Sequence, residues 1–368
     1  MAINNIPLIN LNGLKFNFIQ GGMGVGISLS GLASAVSNEG GLGVIASVGI
    51  GSLKNLREEN TYLGSYETIN SQALRDEITQ ARRKTNGPIG VNIMHVLQNY
   101  SSLVKTAIDE KVDVIISGAG IPRDLPSYLT SNSKTKLIPI VSSRRVADMI
   151  VTSWIRKYHY LPDAIIVEGP KSGGHQGYSF EELNNPEFVS NGLERRLSDV
   201  LDFLKSDKTT ANIPVIVAGG VFYGGDIRKF NCLGATGVQM ATRFVTTDEC
   251  DADILFKQEY IKCTSEKEIV IIKSPVGLPG RAISNKFLEE VRAGKRFPIS
   301  CDYGCLKTCN PCESPYCIAN ALGSAARGKL MDGFAFAGTN AWRCKDIVPV
   351  KQVVSKLDKE YNDNTRTF

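Results

Sequence analysis

Short apolar runs alternate with amphipathic stretches along most of this chain. Residues 16–19, 42–46, 89–93, 112–117, 137–141, 164–167, 214–218 and 237–240 are each apolar on both faces. That pattern belongs to strands of a parallel sheet covered on both sides, because a half-exposed strand would show strict alternation. Between the runs, helical periodicity predicts helices over 32–38, 69–84, 102–110, 144–157, 193–205 and 225–233. Eight strands mostly separated by helices predict a closed (β/α)8 TIM barrel, with an open doubly wound sheet as the weaker choice. Residues 49–66, rich in Gly, Asn and Tyr, read as a long loop of the kind that covers a site.

The pattern changes after residue 265. A strand-like run at 267–272 leads into a Pro/Gly loop at 274–282, with helices predicted at 285–293, 316–327 and 349–361. The division is therefore a barrel over 1–265 and a helical, cysteine-rich extension over 266–368, packed on the barrel.

Polar or glycine residues stand at the C-terminal end of nearly every strand: Gly21-Gly22, Asn92, Gly118, Ser142-Ser143, Glu168, Gly219-Gly220 and Gln239. In a barrel those ends meet at one mouth, where active sites lie. This convergence is the main sequence argument for an enzyme. Composition adds limits. A net charge of +5 over 368 residues, with no Lys/Arg block, leaves no nucleic-acid footprint. No apolar run is long enough to span a bilayer, and the N-terminus lacks a signal-peptide pattern, so a cytoplasmic protein with no membrane partner is expected. Five of the nine cysteines crowd between Cys301 and Cys317. In a reducing compartment that crowding points first to metal or redox chemistry.

The stretch Ile165-Ile166-Val167-Glu168-Gly169-Pro170-Lys171-Ser172-Gly173-Gly174-His175 carries the sharpest signal. An apolar strand ends in a carboxylate, then two adjacent glycines precede one of only three histidines. Paired glycines let the backbone pass close to a bulky group, and a histidine there can exchange a proton near neutral pH. His175 is the candidate catalytic or substrate-contacting residue. Glu168 could orient the loop, bond a cofactor or act as an acid, with cofactor contact favoured. His95 is a weaker candidate from the loop after Asn92, and His159 reads as a surface residue. Asn92 offers both a donor and an acceptor to a ring edge, or caps a loop. Gly219, Gly220 and the Gln239-Met240-Ala241-Thr242 run occupy the two loops where barrels commonly hold a phosphate on backbone N–H groups. The loop containing Gly22, Met23 and Gly24 could bind phosphates, support a ring system or simply turn; no Gly-Lys-Ser/Thr follows, so it is not a Walker motif. Cys301, Cys305, Cys309, Cys312 and Cys317 could hold zinc or an iron–sulfur cluster, or remain reduced thiols in a docked loop.

Taken as an ordered set, Ile19-Gln20-Gly21-Gly22-Met23-Gly24, Gly90-Val91-Asn92, Glu168-Gly169 through Gly173-Gly174-His175, Val217-Ala218-Gly219-Gly220 and Gln239-Met240-Ala241-Thr242-Arg243-Phe244 resemble the nitronate monooxygenase family, once called 2-nitropropane dioxygenases. That family shares its fold with FMN-dependent enoyl-[acyl-carrier-protein] reductases. The resemblance spans roughly residues 14 to 285 and implies an FMN-binding barrel. It implies that Asn92, Glu168, Gly173, Gly219 or Gly220 and the Gln239–Thr242 run contact the flavin, with Gly22, Met23, Gly24 and Gly174 beside it. It also implies that His175 is the catalytic base. Ser172 stands where the family often has Ala, and Ala241 where it often has Gly. The cysteine-rich tail lies outside the core family pattern. The implied reaction is oxidation of alkyl nitronates or nitroalkanes with dioxygen. The competing readings are an NAD(P)H-dependent enoyl-thioester reductase and a flavin- or metal-binding regulator without turnover. A small-molecule substrate is expected in either enzyme, and the oligomeric state is left open between a monomer and a homodimer.

Overall fold

Asn12 and Gly13 both adopt positive φ, 49° and 95°. That is what a two-residue hairpin turn needs. They join β1 (Ile9–Leu11) to β2 (Leu14–Phe16) in an antiparallel hairpin. The computed structural model describes residues 3–52, 63–296, 301 and 304–363. The chain then builds β3 (Ile19–Gln20), β4 (Gly43–Ala46), β5 (Ile89–Met94), β6 (Val114–Gly118), β7 (Lys136–Val141), β8 (Ile165–Glu168), the short β9 (Gly174–His175), β10 (Val215–Ala218) and β11 (Gly237–Met240). Strands β3 to β8, β10 and β11 form one parallel sheet in the order β3-β11-β10-β8-β7-β6-β5-β4. A bridge between Ile19 and Leu42 joins its two ends and closes the barrel.

Alternation within each strand explains why both faces are apolar. Val44, Val114, Ile116, Ile138, Ile166 and Ile216 pack together inside the barrel. Their neighbours Ile45, Ile115, Leu137, Ile165, Val167, Val215 and Val217 face outward onto the helices. The hairpin plugs the bottom of the barrel: Ile9, Leu11 and Phe16 join the inner cluster. A Cβ on Gly237, at the start of β11, would lie 2.2 Å from Ile9 Cδ1. The first barrel strand is thus Ile19–Gln20 rather than the expected 16–19. Phe16 belongs to the plug, because the Asn12-Gly13 turn folds β2 back before the barrel begins.

The helices match the expected amphipathic stretches, with ends set by local chemistry. Ser143 caps the helix Arg144–Tyr158 by accepting from the Val146 N–H, and His159 ends it in the left-handed conformation. His159 is therefore a helix terminus and not a site. Tyr66 opens the helix Tyr66–Lys84, and Ile50 begins a helical turn. Residues 53–62 of the expected covering loop lie outside the described residues.

The extension differs from expectation at one consequential point. Residues 279–283, read as part of a Pro/Gly loop, form β13 (Pro279–Ile283). It pairs antiparallel with β12 (Ile269–Lys273) and with β9, placing Gly280 opposite His175 and Arg281 opposite Gly174. Pro279 sits at the first strand position, where a missing N–H is tolerated. The partners are about a hundred residues apart, so local composition carried no sign of them. Helices Lys286–Arg292, Ile318–Ala326 and Val350–Glu360 complete the extension.

Candidate active site

The same alternation that fills the barrel aims three polar side chains at its mouth. In β8 the inner position after Ile166 is Glu168; in β5 the inner position after Gly90 is Asn92; in β11 the one after Gly237 is Gln239. At the top of the barrel this inner surface opens into a cavity of about 920 Å³. Every residue nominated from the sequence as cofactor-binding or catalytic lines it: Gly22, Met23, Gly24, Asn92, Glu168, Gly173, Gly174, His175, Gly219, Gly220, Gln239, Met240, Ala241 and Thr242. Two of the glycines are required by packing. A Cβ on Gly22 would lie 2.4 Å from the Asn92 Cβ, and one on Gly24 would lie 2.3 Å from Val48 Cγ1.

One end of the cavity, above β8, β10 and β11, is built from backbone. Gly219 and Gly220 have φ of 89° and 108°, a region open to glycine and costly for other residues. The N–H groups of Gly173, Gly219, Gly220 and Gly338 donate to no protein acceptor among the described residues. Gly173 and Gly338 touch backbone to backbone: a Cβ on Gly173 would stand 2.6 Å from the Gly338 nitrogen. A Cβ on Gly338 would stand 3.0 Å from Thr242 Oγ1. Free N–H groups and a hydroxyl around one pocket end suit an anion. The end is strapped from the extension. The Thr339 N–H donates to the Lys171 carbonyl (3.1 Å), and Asn340 Nδ2 donates to the Gly220 carbonyl (2.7 Å). The buried Arg281 donates from Nε to the Ser172 carbonyl (3.1 Å) and from Nη2 to that of Pro170. Nearby, Gln239 Oε1 is buried with no hydrogen-bond partner among the described residues. An unpaired buried acceptor costs about 1–3 kcal/mol, so its presence points to a ligand donor.

His175 lines the cavity. Its Nε2 lies 2.8 Å from Ser274 Oγ, and its ring meets Phe336 edge to face at 5.0 Å. The imidazole opens on the cavity yet sits deep in the protein, and that burial lowers its pKa from 6.5 to about 4. Burial alone also raises Glu168 from 4.5 to about 7. At neutral pH the histidine is an unprotonated base and the carboxyl is poised between its two states.

The opposite wall, above β5 and β6, is built from side chains. His95 Nε2 lies 3.6 Å from Asp124 Oδ1, and its ring meets Tyr100 at 4.8 Å. Burial lowers the His95 pKa, with Asp124 pulling the other way. The cysteine segment roofs this side. Leu306 bridges Leu97, the Gln98 N–H donates to the Cys305 carbonyl, and Thr308 Oγ1 donates to Val276. Of the five clustered cysteines only Cys305 lines the cavity. Cys312 is exposed, Cys301 Sγ accepts from the Gly304 N–H (3.3 Å), and Cys309 Sγ faces Ser314 Oγ (3.8 Å). Among the described residues no three His, Cys, Asp or Glu stand where they could hold a metal ion. The expectation of a zinc or iron–sulfur centre on Cys301, Cys305, Cys309, Cys312 and Cys317 therefore finds no support in this arrangement. Burial pushes the Cys305 thiol up to about 12, so it sits as a neutral apolar wall.

Ser274, Phe336, Gly338 and Asn340 escaped the sequence reading. The Ser274-Pro275 step was read as part of a Pro/Gly loop, but nothing local tied it to His175 99 residues away, or Asn340 to Gly220 120 residues away. Among the described residues no helix is long and apolar enough to cross a membrane.

The comparisons with known proteins agree with this geometry. The chain is 28% identical over 309 residues to a probable nitronate monooxygenase of Staphylococcus haemolyticus, covering 79% of this chain and 81% of that one. It is 29% identical over 290 residues to a hydroxy-methyl-oxo-octahydroindene-carboxyl-CoA dehydrogenase of Mycobacterium tuberculosis, covering 79% of this chain and 69% of the other. The solved structure of FabK from Thermotoga maritima superposes with a TM-score of 0.72 at 29% identity, over 96% of this chain and 94% of that chain. The profile of the nitronate monooxygenase family matches residues 5–103 and 94–360. The chain belongs to that family and is a flavin-dependent oxidoreductase acting on a small molecule.

Proposed function

We propose that the cavity holds FMN and that the enzyme oxidises alkyl nitronates and nitroalkanes with dioxygen, using His175 as the base. The cofactor fits the residues present. The free N–H groups of Gly173, Gly219, Gly220 and Gly338, with Thr242 Oγ1, suit its phosphate, and a Cβ at Gly173 or Gly338 would crowd that end. Asn92, Glu168 and the orphaned Gln239 Oε1 offer donors and acceptors to the polar edge of a ring. Bound there, FMN would take up reducing equivalents and return them to dioxygen.

The observation that carries the reading is the place of His175 on the cavity wall, with its Nε2 2.8 Å from Ser274 Oγ. A nitronate is already an anion, but a neutral nitroalkane must lose an α-proton. His175 is unprotonated at neutral pH, held by Ser274 and open to the cavity. Its low pKa makes it a modest base, so abstraction depends on placing the acidic carbon against the ring. Phe336 and the apolar walls exclude water around it.

The test is direct. His175→Asn should keep its flavin, turn over pre-formed nitronate, and lose neutral nitroalkane turnover by roughly 100- to 10,000-fold. Normal nitroalkane turnover in the variant would remove the base assignment. A second reading is an NAD(P)H-dependent enoyl-thioester reductase. The cavity volume favours it, since about 920 Å³ exceeds the needs of a flavin plus a small nitroalkane. Anaerobic mixing separates the two: flavin bleaching by nitronate supports the first, and bleaching by NAD(P)H alone supports the second.

A further inference from the structure

Arg281, in the middle of β13, is a buried cation that belongs to no ion pair among the described residues. Burial lowers its pKa to about 10, and the exposed Glu266 offsets this only in part. A charge taken out of water without a partner of opposite sign is costly. A neutral amide could hold a carbonyl there without that cost. Hydrogen bonding alone therefore does not account for a guanidinium at this position.

The side chain is not part of the cavity wall; it stands behind the backbone cradle. Nε donates to the Ser172 carbonyl at 3.1 Å, and Nη2 donates to the Pro170 carbonyl. The described peptide bonds are all trans, so the N–H of each peptide points away from its own carbonyl. The N–H groups of these two peptides belong to Gly173 and Lys171. Neither donates to a protein acceptor among the described residues, and both residues line the cavity. The cation thus sits at the negative end of two peptide dipoles whose positive ends are free, and linked hydrogen bonds polarise one another. The main chain of Arg281 holds the other lip. Its carbonyl accepts from the Ala337 N–H (3.0 Å), next to Gly338. The Lys171 ammonium is engaged with the Ser190 carbonyl (3.2 Å).

We propose that Arg281 is the positioning residue of the cradle: it presents the Lys171 and Gly173 N–H groups to the flavin phosphate and, through those two peptides, supplies the positive charge that balances it. This role rests on the flavin reading above and narrows it. The cradle should favour the phosphorylated flavin over riboflavin, which brings no charge to offset that of the buried guanidinium.

Titration of the full chain with FMN and, in parallel, with riboflavin tests this without turnover, read by quenching of flavin fluorescence. Arg281→Gln keeps a hydrogen bond to one carbonyl and removes the charge. It should weaken FMN binding roughly 10- to 100-fold and riboflavin binding by less than about threefold, so that the preference for FMN collapses. Arg281→Lys keeps the charge and should restore most of the preference. Equal losses for the two flavins in Arg281→Gln would mark a structural strut and overturn the assignment, as would unchanged FMN affinity. One measurement needs no variant. The phosphorus resonance of FMN bound to the wild type should remain that of the dianion below pH of about 6, where a free phosphate monoester takes up its second proton. A bound phosphate that titrates as the free one overturns the assignment even if Arg281→Gln does not fold. A wild-type protein that binds neither flavin would remove the flavin reading itself, whereas tight FMN binding that is indifferent to Arg281→Gln removes only the role of Arg281.

Discussion

The two walls of the cavity present their polar groups by different means. Above β8, β10 and β11 the groups that face the cavity are backbone N–H donors on glycines, locked by Arg281, Thr339 and Asn340. Above β5 and β6 they are side chains on exposed loops, with Lys307 held only through its own backbone and one carbonyl. A resident group gains from donors that cannot move, because no ordering cost remains when it binds. The difference suits the first wall to the resident cofactor proposed above.

The comparison can be broken first at its rigid end. Gly173→Val would press a side chain onto the Gly338 backbone, which cannot retreat without moving the strap. Overpacking of this kind costs about 1–3 kcal/mol. Flavin affinity should fall roughly 10- to 100-fold, read as chromophore retained through gel filtration. Unchanged retention would remove the cradle from the cofactor site.

A smaller effect is expected at Ser274→Ala. It removes the group 2.8 Å from His175 Nε2 while leaving the cradle intact. Nitroalkane turnover should drop about tenfold, in line with one hydrogen bond of about 1–1.5 kcal/mol, with flavin content unchanged. Equal losses for nitronate and nitroalkane would show that Ser274 does not act through the base.

The pH profile sharpens the role of burial. With its pKa lowered to about 4, His175 remains a base down to that pH, so the acid limb of nitroalkane kcat/KM should centre near 4 and not near 6.5. A limb centred at 6.5 would mean a solvated histidine. The same shift has a stability sign. As pH falls from 6.5 toward 4, the unfolded chain takes up a proton that folded His175 refuses, and stability declines. Glu168 works oppositely: its stabilising protonation is lost as pH rises from 4.5 through about 7.

The smallest effect should come from Cys305→Ser. A neutral, buried thiol contributes packing, so stability should change by about 1 kcal/mol and flavin content not at all. A metal stoichiometry near one per chain, lost in this variant, would restore the metal-centre reading.

Much of the site could be read directly. Asn92, Glu168, Gln239 and His175 all reach the cavity because strand alternation and strand-end position are local properties. The hairpin turn at Asn12-Gly13 was not read, and Phe16 was placed in the barrel strand because its apolar run continues into Phe18 and Ile19. The cysteine spacing suggested a shared ion; among the described residues no three His, Cys, Asp or Glu are placed to hold one, and Cys305 lies on the roof through the pairing of its segment with residues 96–98.

Short doubly apolar strands, amphipathic helices between them and polar strand ends were enough to dictate a barrel with a reactive mouth, because each is a matter of neighbours in the chain. Three other properties came only from packing. The extension lays β13 against His175, threads Gly338 between Gly173 and Thr242, and sets Lys307 on the far rim. The proton affinities of His175 and Glu168 follow from the same event. They depend on how much water the surrounding elements exclude, and no residue carries that information in its own stretch of chain.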